Sequence, residues 1–102
     1  MRFGNKYLDK KYWDNIEDNN FFKQINRGVY SLIAVCYTLK NDYKKTIYNC
    51  NKSLEYCDKD EDKIAVISMI GASFYESKDY KSAQEYAKKA LKIDPNNESA
   101  KE

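Results

Sequence analysis

The stretch IAVISMIGASFYESKDYKSAQEYAKKALKIDPNN, Ile64 to Asn97, decides how the rest of the chain is read. Its first half places Ile67, Ile70, Gly71 and Phe74 at i, i+3, i+4 and i+7, which is one face of a helix. Ser77-Lys78-Asp79 interrupts that period, and Asp79 is suited to accept hydrogen bonds from the free N–H groups at the start of a new helix. The second helix carries Tyr80, Ala83, Ala87, Ala90 and Leu91 on its inner face. It ends at Asp94-Pro95-Asn96-Asn97, because Pro95 lacks an N–H and clashes with the preceding turn. Two such helices with small residues where they meet form a hairpin. Gly71 opposite Ala83 is the point at which large side chains would hold the helices apart.

This spacing resembles the tetratricopeptide repeat, whose pattern runs W-x2-L-G-x2-Y, then A-x3-F, then P over 34 residues. Ile67 takes the large first position, followed by Ile70-Gly71, Phe74, Ala83 and Pro95. Ala87 stands where the second helix usually has an aromatic residue, with Tyr86 beside it. Sliding the stretch back by 37 residues gives a second, more divergent copy. Tyr30, Ile33, Ala34 and Tyr37 then match Ile67, Ile70, Gly71 and Phe74, and Asp42-Tyr43-Lys44 matches Asp79-Tyr80-Lys81. Thr46, Cys50 and Ser53 replace the alanine, aromatic and alanine of the pattern, and Asp58 replaces its proline. The three residues by which this offset exceeds the usual period fall in the polar run Cys57 to Lys63, where they lengthen a loop and leave both hairpins intact.

The resemblance implies an all-α fold: antiparallel helical hairpins stacked as a short right-handed superhelix of about five helices. The expected organisation is an N-terminal helical cap at 1–26, a divergent repeat at 27–63, a repeat at 64–97, and the start of a further helix or a tail at 98–102. Leu8, Tyr12 and Ile16 at i, i+4 and i+8 predict a helix over Asn5–Glu17, with Asp18-Asn19-Asn20 as the following turn. Phe22, Ile25, Val29, Leu32, Ile33, Cys36 and Tyr37 continue a helical period to Lys40. Gly28 inside it weakens the helix by about 1 kcal/mol relative to alanine and invites a kink at Asn26–Gly28.

Composition narrows the function classes. The chain has 102 residues, 42% apolar and 33% charged, as expected for one globular domain with a modest core. Its net charge of +2 comes from lysines and acids mixed along the sequence, which argues against nucleic acid or an anionic membrane as the main partner. Ile64–Tyr75, a long uncharged and apolar-leaning run, is too short to span a bilayer. Histidine is absent, so the commonest general base and nucleophile activator is missing. Gly4, Gly28 and Gly71 are isolated and form no phosphate-cradling loop. Asp58-Lys59-Asp60-Glu61-Asp62 lacks the ligand alternation and turn glycine of a calcium loop, and reads as a solvated loop with favourable charge at the next helix start. Cys36, Cys50 and Cys57 include no C-x-x-C pair. Cys36 and Cys50 read as small buried side chains rather than metal ligands. Unpaired cysteines, with no visible signal or membrane segment, lead to a cytoplasmic expectation.

No catalytic, cofactor or metal site is therefore expected, and the chain reads as a protein–protein interaction module, a scaffold or adaptor. By resemblance, a peptide or helix would bind a concave face formed by the first helix of each repeat. Gly28, Ser31, Val35 and Thr38 lie there in the first copy, and Ala65, Ser68, Ala72 and Tyr75 in the second. Ser31, Val35, Thr38, Ser68, Ala72 and Tyr75 are the partner-binding candidates. The lysines, asparagines and arginine with which chaperone-binding members grip acidic C-terminal peptides are missing from these positions. An apolar helix, including the chain's own N-terminal one, suits the face better. Tyr86, Leu91 and Ile93 form a candidate second interface at the C-terminal end, where self-association would occur. Two alternatives remain open: a structural subunit or fragment of a larger complex without its own ligand, and a domain similar to the cytosolic part of mitochondrial fission adaptors.

Overall fold

In the computed structural model, which describes residues 20–96, four helices follow one another. They are α1 (Asn20–Leu39), α2 (Tyr43–Leu54), α3 (Asp60–Glu76) and α4 (Tyr80–Ile93), with no strand among the described residues. The helix predicted over Asn5–Glu17 and the tail at 98–102 lie outside these residues. α1 packs on α2, α2 on α3, and α3 on α4. Two antiparallel hairpins result, joined through the α2–α3 contact.

The two hairpin turns are built alike, and the sequence explains why. Asn41 and Lys78 adopt left-handed backbone conformations, with φ of 60° and 69°. Each lets the chain fold back on the helix it leaves. Asn41 N–H donates to Thr38 O and Asp42 N–H to Tyr37 O, at 2.9 Å in both cases. Lys78 N–H donates to Tyr75 O at 3.0 Å and Asp79 N–H to Phe74 O at 2.9 Å. This pair of bonds satisfies carbonyls that a helix end leaves open. The same aspartates then start the next helices. Asp42 accepts from Lys45 N–H at 3.3 Å, and Asp79 accepts from Ser82 N–H at 3.2 Å and the Ser82 hydroxyl at 2.8 Å. Equivalent bonds thus recur 37 residues apart, the offset read from the sequence.

Two local expectations are corrected. α1 runs unbroken through Asn26–Gly28, and its carbonyl at Arg27 accepts a 2.9 Å bond from the Ser53 hydroxyl of α2. This contact, with the ion pairs Lys23–Asp58 (3.7 Å) and Arg27–Asp62 (3.5 Å), ties the glycine-containing half of α1 to the rest of the fold. Second, Asp60, Glu61 and Asp62 are not loop but the first turn of α3. Three acidic side chains at a helix N-terminus are favoured by its dipole.

The core sits between the hairpins. Ala34, Cys50, Cys57, Val66 and Ile70 are buried together, and Ile47, Leu54, Met69, Phe74 and Tyr86 pack against them. Burial pushes the Cys50 thiol up to about 11, and burial also raises Cys57. Both thiols stay protonated and unreactive at neutral pH. Cys36, expected inside, is exposed instead. It lies on the face of α1 that turns away from α2, because Ala34 and the small hydroxyl side chains of α1 take the close contact.

Candidate protein-docking groove

Each hairpin presents a trough between its two helices, and the troughs can be compared position by position with the 37-residue offset. In the first hairpin the trough residues are Ala34, Thr46, Cys50 and Ser53, all at most 1% exposed. α3 seals it, with Val66 and Ile70 joining Ala34 and Cys50 in the core. In the second hairpin the equivalent residues are Gly71, Ala83, Ala87 and Ala90. Ala90 is buried, whereas Gly71, Ala83 and Ala87 remain partly open. They line an open groove of about 930 Å³ with Ala65, Ser68, Ala72 and Tyr75 of α3 and Tyr80 and Gln84 of α4.

Small side chains make this groove deep, and local packing keeps it open. A Cβ built on Gly71 would lie 3.5 Å from Tyr86 Cβ and 3.8 Å from Ala83 O, ordinary contact distances. Gly71 and Ala83 therefore meet across the hairpin as the sequence predicts. Ala34 and Thr46 meet likewise, the Thr46 hydroxyl lying 3.4 Å from Ala34 O. Tyr86 stacks on Phe74, with ring centroids 5.5 Å apart, and Lys89 Nζ lies 4.2 Å from its ring centroid. The aromatic contact expected at the position of Ala87 is thus made one residue earlier, towards the core. Ala87 is left lining the groove. At the turn end, Tyr75 and Tyr80 meet edge to face at 5.4 Å, and both are more than half exposed.

The six candidate residues of the concave face divide in two. Ser68, Ala72 and Tyr75 line the groove together. Val35 is exposed on α1. Ser31 and Thr38 face α2: the Ser31 and Ser53 hydroxyls are 2.8 Å apart, and Thr38 donates to Ala34 O at 3.0 Å and lies 3.1 Å from the Thr46 hydroxyl. Their polar groups hold the first hairpin together. At the candidate C-terminal interface, Leu91 and Ile93 are half-buried, and Tyr86 is packed against the core. Tyr80, Ala83, Gln84 and Ala87 of α4, which form one wall of the groove, are not among the site residues expected from the sequence. Their signal was the run of alanines at the trough positions of the repeat.

A second exposed surface is likewise absent from that expectation. Along α1, Ile25, Val29, Leu32 and Ile33 are substantially exposed, Leu32 at 68%. These residues and Cys36 carry the helical period, but their face does not meet α2. Among the described residues, no helix is long and apolar enough to cross a membrane, and no three His, Cys, Asp or Glu side chains converge as metal ligands.

Comparison with known proteins adds one finding. Residues 65–97, which include most of α3 and all of α4, match the family model of the tetratricopeptide repeat. No curated protein and no solved structure matches the chain.

Proposed function

We propose, from the match of residues 65–97 to the tetratricopeptide repeat, that the chain is a protein-docking module whose α3–α4 groove receives an amphipathic helix of a protein partner. The observation that carries this reading is the contrast between the two troughs. The first is filled by a helix, α3, and its equivalent in the second hairpin is open, mostly apolar and has glycine and alanine at the trough positions. An occupant must bring large apolar side chains to fill a trough that lacks its own. It must also satisfy its own backbone hydrogen bonds, since the floor of Gly71, Ala83, Ala87 and Ala90 offers no side-chain polar group. A helix meets both conditions. Ser68, Ala72 and Tyr75 act here as groove-lining residues, and Tyr75 with Tyr80 supplies aromatic contacts at one end. This is a scaffold or adaptor role without chemistry of its own.

A peptide with the sequence of residues 60–76 tests the reading, because it contains the helix that fills the equivalent trough. Added to the isotopically labelled full chain, it is expected to shift the amide resonances of Ala72, Ala83 and Ala87. Ala72→Glu, at an exposed position, should remove the effect by placing a charge in an apolar groove. Absence of shifts at these residues up to millimolar peptide overturns the proposal.

A further inference from the structure

Applying the repeat offset to the incoming helix, as well as to the trough, identifies an occupant already present in the sequence. α3 seals the first hairpin with Val66, Met69, Ile70 and Ser73. Of these, Val66, Ile70 and Ser73 are at most 4% exposed, and Met69 is partly buried against the core. The residues of α1 that correspond to them are Val29, Leu32, Ile33 and Cys36. Three of the four are apolar residues of closely similar size, and Cys36 replaces Ser73 with a more apolar side chain. All four are exposed: Val29 at 48% against 4% for Val66, and Ile33 at 37% against 0% for Ile70. One end of the molecule therefore displays a copy of the inserting helix, and the other end an open copy of the trough it fills.

We propose that the chain associates head to tail, with α1 of one copy entering the α3–α4 groove of a second copy and repeating the junction between the two hairpins. The proposal rests on the groove reading above and names its occupant. Charge supports the match. Within the molecule, Arg27 of α1 pairs with Asp62 at the start of α3. One offset later the corresponding residues are Ile64 of the receiving copy and Ile25 of the entering copy, half-buried and 47% exposed respectively. The ion pair becomes an apolar pair, so the docking leaves neither partner of the original pair unmatched. The groove is correspondingly deeper: Gly71, Ala83, Ala87 and Ala90 replace the bulkier or hydroxylated Ala34, Thr46, Cys50 and Ser53. A head-to-tail contact leaves a free α1 and a free groove on each dimer, so association continues from copy to copy until a ring closes or a filament grows.

Two variants of the full chain, each blocking one surface, test this. Leu32→Glu disables the entering helix at an apolar position that is 68% exposed, and Ala72→Glu disables the groove. Ala87→Glu is a second groove variant, and circular dichroism establishes that each stays helical. In sedimentation equilibrium the wild-type chain is expected to gain mass steadily with concentration, past the dimer. Each variant alone should remain monomeric. Their equimolar mixture should form a dimer and nothing larger, since it retains one intact groove and one intact α1. A wild-type chain that stays monomeric at millimolar concentration overturns the proposal. So does an Ala72→Glu chain that still dimerises, which would place α1 against α1, and so does a mixture that stays monomeric. If the 60–76 peptide shifts the groove resonances while the chain remains monomeric, the groove reading stands and self-docking fails. If neither occurs, both fail.

Discussion

The first hairpin meets its contact helix with Ala34, Thr46, Cys50 and Ser53, and the second presents Gly71, Ala83, Ala87 and Ala90 at the same places. In the first, hydroxyls fill the space: Ser53 donates to Arg27 O and lies beside Ser31, while Thr46 lies beside Thr38 and Ala34 O. These side chains satisfy their polar groups inside the hairpin and present a shallow surface to α3. In the second, methyl groups and a glycine leave depth. Two hairpins with the same turns and the same register thus differ in what they can receive. The difference teaches that in this chain the turn residues set the hairpin, while the trough residues set its occupancy.

The largest expected effect separates the buried and exposed members of one aligned pair. Ile70→Ala removes a fully buried side chain at the centre of the junction and should cost about 2–5 kcal/mol in urea unfolding. Ile33→Ala, at the equivalent position on α1, should cost less than about 1 kcal/mol at concentrations where the chain is monomeric. Equal costs would mean that α1 is covered as fully as α3, and the contrast between the troughs would break.

An intermediate effect concerns Cys50, which has Ala87 as its counterpart. Its folded-state value of about 11 lies above the ordinary value of 9.0 because burial disfavours the thiolate. The unfolded chain therefore loses this proton first as pH rises. The neutral buried thiol's contribution is intact below pH 9 and is lost between pH 9 and 11, on the order of 2 kcal/mol. Cys50→Ala, which copies the second hairpin, should lose correspondingly less stability over that interval. Chemical denaturation of both proteins at pH 8, 9, 10 and 11 checks the difference.

The smallest effect sharpens the comparison of the turns. Lys78 holds a left-handed conformation at some steric cost, whereas Asn41 tolerates the same conformation better. Lys78→Gly should raise stability by about 1 kcal/mol, and Asn41→Gly by no more than a few tenths, in the same unfolding assay. Similar gains at both positions would show that the turns are not strained differently.

The helix limits around α2 and α4 were legible because Asp42 and Asp79 combine a break in apolar period with a capping side chain. The facing of Gly71 and Ala83 was legible because only small residues permit that approach. The 37-residue offset was legible too, and it extends to individual backbone hydrogen bonds. The groove itself was not legible: Ser68, Ala72 and Tyr75, which line it, were expected on a concave face shared with α1, and its α4 wall was not named. α4 shows alanines as readily to a neighbouring helix as to solvent, and periodicity alone does not tell these apart.

Sequence by itself determined the all-helical class, the two hairpin turns and the repetition that relates them, since each follows from local spacing and from side chains acting within a few residues. Tertiary structure decided which side of each helix faces inward. α1 has a large apolar face and a smaller one of Ser31, Ala34 and Thr38, and the smaller one packs on α2 because close approach and paired hydroxyls favour it. That choice turns Val29, Leu32 and Cys36 outward, just as the stacking of Tyr86 on Phe74 turns Ala87 towards the groove. A helical period specifies that a face exists, but its partner is selected by fit between elements far apart in sequence.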